Sequence, residues 1–197
     1  HATPASFYAH VKSRRMYEEI TAFAPNSGVN FFAGGGLKFF NDRKDGKDSL
    51  ATMRANGYEV FTDKLPKTSS DKKELILLAA NGMPKMSEGR GDFLPKATKL
   101  ALEKLSQNEN GFFLMVEGSQ IDWGGHNNDA DYLIQELLDF DKTLGVALDF
   151  VKQNGETLVI VTADHETGGF TLAADGKDYN KIKPRFSIRR KWDVTEG

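Results

Sequence analysis

The sequence predicts an α/β fold, a mainly parallel central sheet with helices on both faces, and three observations predict it. Apolar runs rich in Val, Ile, Leu and Phe extend from Val29 to Ala33, Leu75 to Ala80, Phe112 to Val116 and Leu158 to Val161, each bounded by Gly, Asn or Asp. Runs of this length suit strands buried on both faces of a parallel sheet. Segments with a helical period lie between them, and strand alternating with helix is the signature of a layered α/β architecture. Finally, 197 residues with 39% hydrophobic and 27% charged side chains suffice for one sizeable core. Residues 1–197 therefore read as a single α/β domain.

Taken in order, Thr3 followed by Pro4 reads as an N-cap and first helical position, starting a helix that runs through Tyr8 and Val11 towards Arg15. Phe32-Ala33-Gly34-Gly35-Gly36 reads as a buried strand entering a tight turn; it lacks the Lys-Ser/Thr of a phosphate-binding P-loop. The charged stretch from Asn41 to Ser49 and the polar stretch from Leu65 to Lys73 read as surface connections. From Asp129 to Lys152, Ile134, Leu137, Leu138, Leu144, Leu148 and Val151 recur at helical spacing, and Asn154-Gly155 supplies the stop. Asp175 to Gly197 carries much charge and little period, and no element is assigned to it.

Composition removes several classes of function. A net charge of -2 provides no basic field for a polyanion, so nucleic acid is not an expected partner. With no Cys, a transition-metal site must be built from His and carboxylates, which makes the four His informative. No apolar run approaches the roughly 18 residues of a membrane span. The chain opens on His1-Ala2-Thr3-Pro4 and closes on Thr195-Glu196-Gly197, and both ends are expected to be cuts inside a longer protein.

Chemistry concentrates after two of the apolar runs. Phe112 to Val116 leads into Glu117-Gly118-Ser119-Gln120-Ile121-Asp122-Trp123-Gly124-Gly125-His126, and Leu158 to Val161 leads into Asp164-His165-Glu166-Thr167. Ligand sites of α/β folds form beyond the C-terminal ends of strands. Carboxylate plus imidazole is a donor mixture zinc accepts, and two such groups suit two ions roughly 4 Å apart across one phosphoryl group. One Asp beside one His is usually a hydrogen-bonded turn. Two such pairs after two buried strands favour a metal site. His10 reads as a structural, mid-helix imidazole.

These two segments, with His1-Ala2-Thr3-Pro4-Ala5 and Ser13-Arg14, resemble alkaline phosphatase in the same order and at comparable spacings, from His1 to about residue 170. The fold implied is that of the family, truncated. The resemblance implies that Asp122 and His126 hold one zinc ion, which the family completes with a His further along its chain, and that Asp164 and His165 hold a second. The remaining ligands of that second ion, an Asp and the nucleophilic Ser, belong to the family's N-terminal part and are expected to precede His1. Thr3 and Glu117 match ligands of a magnesium ion, and Arg14 matches the arginine whose planar fork grips two phosphate oxygens. Trp123 sits where many members carry a Lys or His that contacts phosphate indirectly, so a more apolar pocket is expected, and His1 lies behind the magnesium. Seen alone, Thr3, Glu117 and Arg14 would read as a helix cap, a strand-end acid and a surface charge.

The activity implied is hydrolysis of phosphate monoesters to inorganic phosphate through a phosphoserine, in a periplasmic or secreted parent for which homodimer assembly is an expectation; the 197-residue chain itself is expected to lack a complete catalytic apparatus. A phosphodiesterase, sulfatase or phosphomutase of the same superfamily shares the two-metal frame and stays open, as does a non-catalytic fragment. A calcium-binding EF-hand does not, because counting from Asp122 the sixth residue is Asn127 and the twelfth Leu133, where that loop requires Gly and Glu.

Overall fold

The computed structural model describes residues 2–173 and 185–187. Its central sheet has three parallel strands in the order β1-β3-β2, with β1 at Phe31–Gly34, β2 at Tyr58–Phe61 and β3 at Lys73–Leu77. Strand β3 lies in the middle, pairing Leu75 with both Phe32 and Val60. Leu75, Ile76 and Leu77 are buried accordingly, as an apolar run in a parallel sheet requires.

Helices α1 (Ala2–Ser6), α2 (Tyr17–Phe23), α3 (Lys38–Asn41) and α4 (Ser49–Ala55) surround the first strands, and α5 (Phe93–Leu105), α6 (Gln120–His126) and α7 (Ala130–Asn154) follow the third. Ala24, Phe40, Leu50, Met53, Tyr58, Leu75 and Leu77 form one hydrophobic cluster between helix and sheet. A separate pair of antiparallel strands, β4 (Thr171–Ala173) and β5 (Arg185–Ser187), completes the described residues. Among these residues no helix is long and apolar enough to cross a membrane.

Helix α7 follows the sequence closely. Asp129 caps it by accepting the Tyr132 N–H at 3.0 Å, and Gly155 ends it in the left-handed region, its N–H donating to the Val151 carbonyl at 2.8 Å. Its orientation is the reverse of the one its leucines suggest. Tyr132, Glu136, Asp139 and Thr143 form the buried stripe, while Leu137, Leu138 and Leu148 are exposed. Arg90 explains the inversion: its guanidinium bonds Glu136 and, at 2.9 Å, Asp139, and all three side chains are nearly inaccessible. Burial of carboxylates is tolerable where a guanidinium meets them.

Three further differences from the sequence reading have physical causes. The first helix stops at Ser6 and begins at Ala2, so Thr3 is helical and not its cap, and His10 lies beyond the helix, exposed in a loop. The chain turns there because Tyr8 packs edge-on against Phe32, with ring centroids 5.3 Å apart. Strand β2 has no counterpart in the sequence reading, because Glu59 interrupts its apolar run. Conversely, the runs at 112–116 and 158–161 form no ladder among the described residues, and Phe113, Leu158, Ile160 and Val161 are exposed. Apolar composition supplies a buried face, but a strand also needs an adjacent backbone to pair with.

Candidate metal centre

The site grows from the carboxyl ends of the strands. After β1, the Gly36 N–H donates to the carbonyls of Ala79 and Asn81 at 2.9 and 2.6 Å, joining that turn to the loop that follows β3. A Cβ on Gly35 would stand 2.0 Å from the Asn81 carbonyl oxygen, so only glycine permits the approach. The buried Gln120 amide at the start of α6 then donates to the carbonyls of Met83 and Pro84 at 2.8 and 3.2 Å.

Helix α6 places Asp122 and His126 four residues apart and so on one face, with Asp122 Oδ1 3.5 Å from His126 Nε2. Two glycines bring this face to the second motif. A Cβ on Gly124 would lie 2.8 Å from the Leu133 backbone, and one on Gly125 would lie 2.7 Å from the Thr167 carbonyl oxygen. With hydrogen in those places, α6 rests directly on the start of α7 and on the 167–168 loop. Asp122 Oδ1 then accepts the Thr167 hydroxyl at 2.7 Å and stands 4.0 Å from His165 Nε2. His165 Nε2 is in turn 3.4 Å from Asp164 Oδ2.

The structure thus brings His126 and His165 within 4.0 Å of the Asp122 carboxylate, with Asp164 joined to them through His165. Thr3 and Arg14 are exposed, in α1 and in the turn at 14–15, and no hydrogen bond or ion pair joins either to the four. Glu117 is half-buried between the 112–116 run and α6, Trp123 is exposed on α6 itself, and His1 lies outside the described residues. Sequence reasoning overlooked Thr167, Gly124 and Gly125. The Gly124-Gly125 pair was a readable signal, since glycines inside a short helix mark close backbone approach.

The donor geometry suits zinc. Two ligands 2.0–2.2 Å from a tetrahedral ion are separated by roughly 3.3–3.6 Å, and the Asp122–His126 and Asp164–His165 pairs are 3.5 and 3.4 Å across. Each distance matches one edge of such a tetrahedron, and equally an Asp–His ion pair. Among the described residues no three His, Asp or Glu enclose a single point. The outer contacts are of the kind that orient metal ligands: Thr167 fixes Asp122, and His165 Nδ1 lies 3.0 Å from the Glu166 carbonyl oxygen. A proton on Nδ1 satisfies that carbonyl and leaves Nε2 as the free donor. That carbonyl, followed by the Asp164 carboxylate, also holds the imidazole pKa above its ordinary value, so a metal ion at Nε2 would have to displace a proton.

The alkaline phosphatase family model matches residues 1–192. The chain belongs to the alkaline phosphatase family. Among curated relatives, it is 37% identical to alkaline phosphatase 4 of Bacillus subtilis (strain 168) over 96% of this chain and 43% of that protein. It is 40% identical to alkaline phosphatase 3 of the same organism, over 89% of this chain and 40% of that protein. Among solved structures, the alkaline phosphatase of the Antarctic bacterium TAB5 superposes with a TM-score of 0.88 at 52% identity, covering 95% of this chain and 58% of that one. A substituted form of the TAB5 enzyme with magnesium bound in its M3 site superposes with a TM-score of 0.87 at 53% identity, covering 95% and 57%. The chain therefore spans about half the length of the phosphatases it matches.

Proposed function

We propose that this chain carries the metal-binding half of a phosphate monoester hydrolase, and that the Asp122–His126 and Asp164–His165 pairs each hold one zinc ion. One observation carries the reading: a single oxygen, Asp122 Oδ1, lies within 4.0 Å of imidazole nitrogens from both motifs and is fixed there by the Thr167 hydroxyl. Zinc bound at these pairs would polarise a phosphoryl oxygen and lower the pKa of a coordinated hydroxyl. Thr3 and Glu117 supply oxygen donors of the kind magnesium takes, and the TAB5 relative with magnesium in its M3 site supports assigning them to a third ion. Arg14, exposed in the turn at 14–15, provides a guanidinium for two phosphate oxygens. His1, outside the described residues, is assigned an outer role behind that ion by the family alone. The phosphoserine intermediate, an exported parent and homodimer assembly belong to the same proposal and rest on the family.

Isothermal titration of the 197-residue chain with zinc tests the reading. Asp122→Asn should weaken binding by about tenfold or more, because it removes one donor and frees both neighbouring imidazoles to turn. Zinc affinity identical to that of the unsubstituted chain would remove Asp122 from the site and the proposal with it.

A further inference from the structure

Beside the four donors, on the side of His126, lies a cleft of about 280 Å³ lined by Lys85, Trp123, His126, Asn127 and Tyr132. Its walls are held by specific contacts. The indole edge of Trp123 lies over Gly82, where a Cβ would stand 3.1 Å from Cη2, while 44% of the residue stays exposed. Tyr132 is buried, and its hydroxyl donates to Gln120 Oε1 at 2.6 Å. The same Gln120 amide holds the carbonyls of Met83 and Pro84, so one buried side chain ties both the tyrosine and the loop bearing Gly82 and Lys85. The Lys85 ammonium sits 4.5 Å from the Tyr132 ring centroid. A partly exposed indole, a fixed phenol ring and an ammonium thus share one cleft, and His126 is common to that cleft and to the donor cluster.

We propose that this cleft receives the alcohol portion of the substrate and selects phosphate monoesters of aromatic alcohols, whose flat ring attaches to phosphorus through a single oxygen. The inference rests on the phosphatase reading above, since it requires the phosphoryl group to sit at the donors next to His126. An aromatic ring in the cleft meets the indole of Trp123 in stacked or edge-on contact and the Lys85 ammonium at its face. An open-chain alcohol offers neither interaction. A nucleoside 5′-phosphate carries its ring a full ribose further from phosphorus and overshoots the cleft.

The test is a set of phosphorus NMR titrations of the zinc-loaded 197-residue chain with phenylphosphonate, methylphosphonate and adenosine 5′-monophosphate. Phenylphosphonate should bind about tenfold more tightly than methylphosphonate, with adenosine 5′-monophosphate close to the latter. The phenyl-to-methyl ratio should fall to about twofold in Trp123→Ala and by about threefold in Lys85→Ala. Lys85→Ala removes the ammonium over Tyr132 and leaves the Trp123–Gly82 contact in place, so the second variant guards against misfolding of the first. Equal affinities for the two phosphonates, a ratio that survives both substitutions, or a gain confined to adenosine 5′-monophosphate would each overturn the inference and leave the phosphatase reading standing. Failure of all three ligands to bind would overturn both together.

Discussion

Arg43 and Asp45 form a bidentate ion pair in which the arginine side chain is almost wholly buried and the carboxylate partly exposed. The guanidinium presents Nε and Nη2 to the two carboxylate oxygens at 2.9 and 2.5 Å, while Nη1 reaches the Glu18 carbonyl at 3.0 Å and the Thr21 hydroxyl, stitching the 42–48 connection to α2. The bond from Arg43, helped by the Lys47 N–H, pulls the Asp45 pKa down to about 2. An unfolded Asp titrates near 3.9, so the native state favours the ionised form. The resulting stability is fully present above the unfolded value and is lost as pH falls through the folded one. Thermal melts of the chain and of Asp45→Asn should therefore differ most above about pH 5, the gap closing steadily towards pH 2. A gap that stays constant over that range would show that the carboxylate charge has no part in holding the loop.

At the scale of elements, two glycines in neighbouring helices should respond in opposite directions to the same substitution. In α6, Gly125 faces backbone on another segment, 2.7 Å from where its Cβ would be, and the 167–168 loop cannot yield like a flexible side chain. Gly125→Ala should push that loop away, break the Thr167–Asp122 hydrogen bond, cost about 1–3 kcal/mol of stability and weaken zinc binding about tenfold. In α7, Gly145 has nothing within 4 Å of its virtual Cβ. There Gly145→Ala should add about 0.5–1 kcal/mol by raising helix propensity, with zinc affinity unchanged. Urea unfolding and zinc titration of both variants check this. Equal effects on zinc would mean that the contact between α6 and the second motif does not set the metal geometry.

The whole molecule presents the two Asp–His pairs proposed as zinc ligands and much exposed apolar surface: the segments around Phe113 and from Leu158 to Val161, and the leucines on the outer face of α7. Two protein donors per ion are fewer than the three or four that zinc sites ordinarily use, and the covalent route needs an activated hydroxyl at the metals. Ser119, the serine nearest the donors in sequence, is half-buried at the start of α6. We therefore expect no detectable turnover of a simple aryl phosphate by the 197-residue chain supplied with zinc and magnesium, against clear turnover by an alkaline phosphatase of full family length assayed alongside. Zinc-dependent hydrolysis by the purified chain would show that its own residues complete the catalytic apparatus.

The α/β class and helix α7 with its C-terminal stop were legible in the sequence, as were the two Asp–His motifs that the proposed metal site uses, because period, stop signals and motif are local properties of the chain. Tertiary structure decided the rest. Which face of α7 is buried depended on Arg90, distant in sequence, meeting Glu136 and Asp139. Whether an apolar run becomes a strand depended on a neighbouring backbone, which β3 has on both sides and the 112–116 and 158–161 runs lack among the described residues. The approach of Asp122 to His165 depended on Gly124 and Gly125 giving up their side chains to let three segments touch. In each case the deciding partner is remote along the chain, and contacts between remote residues leave no period or spacing in the sequence that contains them.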